Sequence, residues 1–352
     1  MEPATEELTD TIARWQQRGV RLALATVIKV DGSAPRDEGA KMVVAEDGRI
    51  AGSVSGGCVE AAVAEEAMAV LASGTPTIAR YGIDRKMMWD VGLSCGGAID
   101  VFIEPLALTP PSSGTVTAVC TVVRGPQSVG RKLTVSADGA TRGDLGSAAL
   151  DAAVAAQTPA LIKAGRSVLL HEGSYEVFVD VTLPKPRALI VGAVHMAVAL
   201  AKMAAQAGFD VTVIDPRPAL CNKERFPDAA RLDVRWPDEA LADVTLDENT
   251  YIAVLTHDEK FDDPTLRRAL PSHAHYVGAI GSRKTQGLRR ERLLEAGMPD
   301  DVVARLHGPI GLDIGAQSPE EIAVAILAEM IAAKYQRDGL PLRGREAPRI
   351  HA

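Results

Sequence analysis

The 352-residue chain has few aromatic side chains, at 4%, and only four cysteines, and it lacks both a basic excess and a long unbroken apolar run. With so few rings, Ala and Val must supply most of a core, and a hydrophobic share of 47% is the ordinary amount for a soluble α/β protein. Cys58, Cys95, Cys120 and Cys221 lie far apart, which argues against a disulfide framework, and no nearby His or Cys completes a four-ligand zinc set. A net charge of −8 removes the basic face with which a protein neutralises nucleic-acid phosphates. No apolar run reaches the roughly 18 residues of a membrane span, and the acidic start Met1-Glu2-Pro3-Ala4-Thr5-Glu6-Glu7 lacks the features of a signal peptide. The expectation is a cytoplasmic protein with no membrane or nucleic-acid partner.

What the chain does have is glycine, 31 residues of it, and the most informative run is Gly52-Ser53-Val54-Ser55-Gly56-Gly57-Cys58-Val59-Glu60. Upstream, apolar runs at 41–45 and 49–52 flank an Asp47-Gly48 turn and read as a hairpin. Downstream, the Ala-, Val- and Glu-rich stretch 58–73 closes on Gly74, a helix with its stop signal. The spacing therefore puts Cys58 in the first turn of a helix. It leaves the backbone N–H groups around Ser53, Ser55, Gly56 and Gly57 free for an anion, in a field that favours a thiolate. A second run, Gly92-Leu93-Ser94-Cys95-Gly96-Gly97, precedes the strand-like 98–104, and two Cys-plus-Gly-Gly loops in one small domain point to a shared pocket. The competing reading of Cys58 is a small buried residue beside a glycine turn. Cys120 falls within an apolar strand and reads as core. Between an apolar strand at 20–30 and this hairpin, Gly32-Ser33-Ala34-Pro35-Arg36 reads as a loop whose Arg36 offers a guanidinium to a phosphate.

Leu108 to Gly114 reads as a linker and residues 115–183 as a strand-rich middle segment with one Ala-rich helix near 147–156. After Pro184-Lys185-Pro186, a strand at 187–192, a helix at 197–206 and a strand at 210–215 form a βαβ unit with dinucleotide-fold spacing between Gly192 and Asp215. Val194 replaces the second fingerprint glycine, which counts against ordinary NAD binding, and Arg217 next to Asp215 suits a phosphate. Polar groups follow later strands: His257, then Gly281, Ser282 and Arg283, and Asp313 in a Gly-Pro-rich loop. With His195 at the first helix start, these should gather beyond the carboxyl ends of a parallel sheet. Gly192, Asp215, His257 and Ser282 are expected to line one crevice. Ser318-Pro319-Glu320-Glu321 opens the last helix with a capping box. The fold class is α/β: an amino-terminal α/β domain over 1–108, the middle segment, a Rossmann-like doubly wound parallel-sheet domain over 186–336, and a tail over 337–352.

The ordered set Gly32-Ser33-Ala34-Pro35-Arg36, SVSGGCVE, GLSCGGAIDVFIEP, THDEKFDDP, YVGAIGSRK and HGPIGLDIGAQSPEEIAVAILAEMIA resembles the XdhC/CoxI family of xanthine dehydrogenase accessory proteins over about residues 20 to 335. The resemblance implies a chaperone that holds molybdenum cofactor, as molybdopterin or its dinucleotide, while a cysteine desulfurase installs the terminal sulfur. The cofactor then passes to a xanthine dehydrogenase-type apoenzyme. It places the cofactor near Arg36, Ser53, Ser55, Gly56, Gly57, Gly96 and Gly97 and at the Rossmann-like crevice, with Cys58 or Cys95 as ligand to Mo, in a homo-oligomer. The alternative is an NAD(P)-dependent oxidoreductase with Cys58 as its catalytic thiol.

Overall fold

In the computed structural model, residues 5–82, 97–106 and 116–343 are described, and they divide into two compact units that meet in sequence between Pro184 and Lys185. In the first, helix α1 (Thr5–Gln17) leads into strands β1 (Leu22–Asp31), β2 (Lys41–Ala45) and β3 (Ile50–Gly52), helix α2 (Glu60–Ser73) and strands β4 (Thr77–Gly82) and β5 (Ala98–Pro105). The strands form an antiparallel sheet ordered β3-β2-β1-β5-β4. The central β1 is buried because its run Leu22–Ile28 is almost wholly apolar, and Val63, Ala67 and Val70 of α2 pack in one cluster with Ala23, Ala25 and Val27.

The same unit continues with β6 (Thr117–Arg124), β7 (Lys132–Ser136), β8 (Thr141–Gly143), helix α3 (Ala148–Ala164), β9 (Val168–Glu172) and β10 (Tyr175–Thr182). These strands are again antiparallel and ordered β8-β7-β6-β10-β9. Element succession and strand order are those of the first sheet, so the unit is a duplicated ββ-β-α-ββ fold. The sequence carries the repeat too. Gly39, Lys41, Asp47-Gly48, Gly52, Ala61-Ala62-Val63-Ala64 and Gly74 recur 91 residues on as Gly130, Lys132, Asp138-Gly139, Gly143, Ala152-Ala153-Val154-Ala155 and Gly165. The retained glycines are mechanical. Gly52 and Gly143 have φ of 76° and 91°, and a Cβ on either would stand 2.4 Å from the carbonyl oxygen of Lys41 or Lys132.

The repeats associate through matching groups. Ile28 and Phe102 of the first meet Val123 and Phe178 of the second in one cluster. Lys41 of β2 pairs with Asp180 of β10 at 2.8 Å, and Lys132 of β7 with Glu104 of β5 at 2.6 Å. Each repeat thus gives its β2-type lysine to the other's β5-type acid, the reciprocity of a two-fold interface within a single chain.

The second unit is a parallel sheet of β11 (Arg187–Val191), β12 (Asp210–Ile214), β13 (Arg231–Asp233), β14 (Thr250–Val254), β15 (Tyr276–Ala279) and β16 (Leu306–His307). Its order, β13-β12-β11-β14-β15-β16, reverses direction between β11 and β14, which makes the fold Rossmann-like and doubly wound. Helices α4 (His195–Gln206) and α9 (Pro319–Lys334) cover one face, on which Ala188, Ile190, Val211 and Val213 point. Helices α5 (Pro237–Ala242), α6 (Glu259–Ala269), α7 (Arg283–Glu295) and α8 (Asp300–Val303) cover the other, over Leu189, Val191, Ile252 and Val254. The alternation along each strand is what a sheet buried on both faces requires. The capping box at Ser318 and Glu321 forms with both its hydrogen bonds.

Candidate functional site

The loop between β3 and α2 departs from expectation in its most important detail. Helix α2 starts at Glu60 with Val59 as its cap, so Cys58 stands two residues ahead of the helix and not in its first turn. Gly56 and Gly57, with φ of 78° and 117°, hold that turn unwound. The carboxylate of Glu60 folds back into it. Its Oε1 accepts from Ser53 Oγ at 2.5 Å, Ser55 N at 2.9 Å and Val54 N at 3.2 Å, and its Oε2 from Ser55 Oγ at 2.6 Å, Gly57 N at 2.9 Å and Val59 N at 3.2 Å. The amides of Gly56 and Cys58 are taken by the hydroxyls of Ser53 and Ser55. Every N–H from Val54 to Val59 therefore has an acceptor within the loop. The expectation that Ser53, Ser55, Gly56 and Gly57 leave amides for an external anion is corrected: the chain supplies its own. Burial pushes the Glu60 carboxyl up, but the bonds from Ser53 and Ser55 outweigh it and hold it at about 2.

In this repeat the β1–β2 loop, the loop before α2 and Gly97 lie close together. The backbone of Gly97 lies so close to the β1–β2 loop that a Cβ there would be 2.2 Å from the Ser33 carbonyl oxygen, and a Cβ on Gly56 would be 3.7 Å from Pro35 Cβ. Cys58 and Gly57 are exposed, Arg36 is half-buried, and a Cβ on Gly57 would meet nothing within 4 Å. Cys95 and Gly96, like the 108–114 linker, lie outside the described residues. The other two thiols are buried: burial lifts Cys120 to about 11, and it also raises Cys221, whose Sγ donates to the Val213 carbonyl.

On the Rossmann-like unit, the residues after β11, β12, β14 and β15 share the carboxyl edge of the sheet. Gly192, at φ 102°, lets the loop after β14 approach, since a Cβ would stand 2.4 Å from Thr256 Cγ2. Asp215, expected to face a ribose, is fully buried. Its Oδ1 accepts from Arg217 Nε at 2.8 Å and Arg217 N at 3.0 Å, and its Oδ2 from Arg217 Nη2 and Ala193 N, both at 2.7 Å. Burial opposes ionisation, but these bonds hold the carboxyl below its ordinary range. Asp215 is thus corrected from a ligand contact to an internal clasp joining the loops after β11 and β12, and the Arg217 guanidinium, over the ring of Phe261 at 5.3 Å, occupies the place beside it. His195, His257, Arg283 and Asp313 are exposed at this edge. Ser282 caps α7 by accepting from Thr285 N at 3.2 Å, and Gly281, at φ 137°, leads into the cap. Of the expected crevice set, His257 and Ser282 reach the surface, while Gly192 and Asp215 are interior.

A model of the XdhC and CoxI family matches residues 15–82 and 112–173, and a model of the XdhC Rossmann domain matches 188–330. A Bacillus subtilis protein named as a probable xanthine dehydrogenase subunit is 30% identical over 93% of this chain and 96% of its own length. The chain belongs to the XdhC and CoxI family. The Escherichia coli protein named molybdenum cofactor insertion chaperone PaoD is 28% identical over 91% of the chain and 86% of its own length. A crystal structure from Bacillus halodurans, described as a xanthine dehydrogenase, superposes with a TM-score of 0.75 at 27% identity over 96% of this chain and 97% of that one. The two stretches matched by the XdhC and CoxI model fall on corresponding parts of the two repeats.

Two side chains that organise these loops escaped the reading of the sequence. Glu60 looked like an ordinary first-turn acid, and only the unwound turn reveals it as the loop's internal anion. Glu329 of α9 accepts from Tyr276 Oη at 2.5 Å and Gly311 N at 2.7 Å and contacts His307 Nδ1 at 3.1 Å, which fixes the start of the loop carrying Asp313. Its position in an otherwise apolar helix stripe was the available signal.

Proposed function

We propose that this protein is an accessory factor that binds molybdenum cofactor and supports its sulfuration and its insertion into a xanthine dehydrogenase-type hydroxylase. The observation that carries the reading is similarity along almost the whole chain to a protein named as a molybdenum cofactor insertion chaperone. The cofactor is here a cargo. The exposed Cys58 thiol, with open space beside Gly57, suits it as a soft ligand for the molybdenum end, and Cys95 is the second such candidate. In the same unit Arg36 is the group suited to its phosphate; the α4 and α7 starts of the Rossmann-like unit, with His195, Ser282 and Arg283, are a separate candidate place for a phosphate. The reading includes a cysteine desulfurase as sulfur donor, a molybdenum-free apoenzyme as recipient, a cytoplasmic location and a homo-oligomeric state. Among the described residues no helix is long and apolar enough to cross a membrane.

The rival, an NAD(P)-dependent oxidoreductase with Cys58 as catalytic thiol, is disfavoured by the buried, fully hydrogen-bonded Asp215 and by Val194 at the start of α4. Anaerobic purification from a molybdenum-replete host tests the proposal. Molybdenum by elemental analysis and pterin by fluorescence after oxidation should both approach one per chain. Absence of both, also after incubation with released cofactor, would sink it.

A further inference from the structure

Helix α9 is apolar on every side. Between Ile322 and Ala333 its sole charged residue is Glu329, and that carboxylate is engaged by Tyr276, Gly311 and His307. Ala323, Ile326 and Met330 enter the core against the parallel sheet. Gly311 and Leu312 cover a second side, where Leu312 N donates to the Ala325 carbonyl at 3.1 Å. The remaining side faces solvent. On it Val324, Ile331 and Tyr335 are 46%, 36% and 62% exposed, at spacings that put them in one row with the half-buried Leu327 and Ala328. Helix α7, in the opposite layer, shows what an outward face in this unit otherwise carries: Arg283, Lys284, Arg290 and Glu291 are its exposed residues beside Leu288. A helix apolar all round is a buried helix, so the bare row on α9 calls for a cover.

The order of the row selects the cover. From the amino end it reads Glu320, Val324, Leu327, Ala328, Ile331 and Tyr335, with steps of four, three, one, three and four. The steps are the same in both directions. Two such rows laid antiparallel about a two-fold axis between Leu327 and Ala328 bring Val324 onto Ile331, Leu327 onto Ala328 and Glu320 onto Tyr335, which is the self-matching that an isologous interface requires. The ends match in charge as well. The Glu320 side chain is 61% exposed, with His195 Nε2 4.0 Å away, and the Lys334 ammonium lies over the Tyr335 ring at 5.1 Å. The antiparallel arrangement sets the Glu320 carboxylate of one copy against the Lys334 ammonium and Tyr335 hydroxyl of the other, whereas a parallel one sets like charges together. A stable interface buries about 1,200–2,000 Å² in all, so residues flanking the row must contribute. Ile314, Leu340 and Leu342, at 54%, 64% and 70% exposed, are placed to do so: Leu312 is tied to α9 through Ala325, and a Cβ on Gly339 would stand 2.8 Å from Leu312 Cδ1.

We propose that the outer face of α9 is the docking surface for a second copy of this chain, with the two α9 helices packed antiparallel about a two-fold axis between Leu327 and Ala328. The inference rests on the homo-oligomeric part of the function proposed above and deepens it, giving a dimer joined through the Rossmann-like units. It needs no cofactor.

Sedimentation equilibrium of the full-length protein tests it, with circular dichroism and melting temperature verifying that each variant is folded. Wild type should be a dimer in the micromolar range. Val324→Lys and Ile331→Lys should each raise the dimer dissociation constant about a hundred-fold or more, because the symmetry puts every substitution into the apolar row twice. Leu288→Lys, at a position 49% exposed on α7, should leave the dimer unchanged. Glu320→Lys and Lys334→Glu should each weaken association several-fold, and the double variant should recover it, because exchanging both ends restores the pairing. A wild-type dimer left intact by folded Val324→Lys and Ile331→Lys, or a double variant weaker than both single ones, would overturn this inference while the homo-oligomeric state stands. A wild-type chain that stays monomeric across the micromolar range would overturn both, as would a monomer that binds a hydroxylase apoenzyme through this face and loses that binding in Val324→Lys; the cofactor-binding role would then rest on its own test.

Discussion

Replacing Lys132 by Met should make stability fall as pH rises, to an extent set by Glu104. The Lys132 ammonium lies 2.6 Å from Glu104 Oε1 and 3.1 Å from Thr121 Oγ1, and Glu104 is 6% exposed. Burial already raises the Glu104 carboxyl above the ordinary value of 4.5 against the pull of Lys132, and Asp180 adds a like charge. Removing the ammonium leaves a buried carboxylate without its counter-charge, a change that costs roughly 3–5 kcal/mol when both partners are buried. The Lys132 side chain is 39% exposed, so water already screens the pair, and a loss of about 2 kcal/mol at pH 8 is the discounted expectation. The sign follows from linkage. A carboxyl whose folded value lies above its unfolded one is harmless below about pH 4.5 and costs stability as pH rises through the folded value. Urea unfolding at pH 5 and pH 8 reads this directly: Lys132→Met should sit close to wild type at pH 5 and fall away by pH 8. The Lys132→Met, Glu104→Gln double variant should recover most of the loss, because the charge is gone. An equal deficit at both pH values, or no recovery in the double variant, would refute the reasoning.

Two further outcomes follow from the buried groups. Calorimetry with NAD, NADH or NADP should show no micromolar binding, because Asp215 spends both oxygens on Arg217 and Ala193 N–H; a micromolar dissociation constant would restore the oxidoreductase reading. Among Cys58, Cys120 and Cys221, iodoacetamide at pH 7 followed by peptide mapping should label Cys58 first, because the other two are at most 3% exposed and burial raises both thiols. Equal labelling of Cys58 and Cys221 would contradict the burial that separates them.

Much of the architecture was legible because local signals and tertiary needs agree. The Asp47-Gly48 hairpin, the Gly74 stop and the Ser318 capping box are short-range devices, and all three form. The βαβ spacing from Gly192 to Asp215 also gave the parallel sheet. The site was less legible because its decisive facts are choices between acceptors. A Gly-Gly turn before a helix announces spare amides, but nothing local says that Glu60 will turn back to fill them, or that Arg217 will take Asp215 before a ribose can. Residue type fixed the chemistry available to each side chain, and tertiary geometry decided who received it. The duplication was a different case. Its Asp-Gly, Gly-cap and Ala-Ala-Val-Ala matches at a constant spacing of 91 are in the sequence, and a search for internal repeats would have found them.

The central claim is that this chain delivers molybdenum cofactor to an apoenzyme, and a defined transfer reaction tests it most directly. Cofactor-free xanthine dehydrogenase-type apoenzyme is mixed anaerobically with cysteine desulfurase, a sulfur donor and equal amounts of molybdenum cofactor, supplied either free or preloaded on this protein, and restored hydroxylase activity is followed with time. The account predicts faster and more complete activation from the loaded protein, with the advantage lost in Cys58→Ser. Equal activation by free cofactor and by the loaded protein, in the presence of a folded wild-type chain, would contradict it.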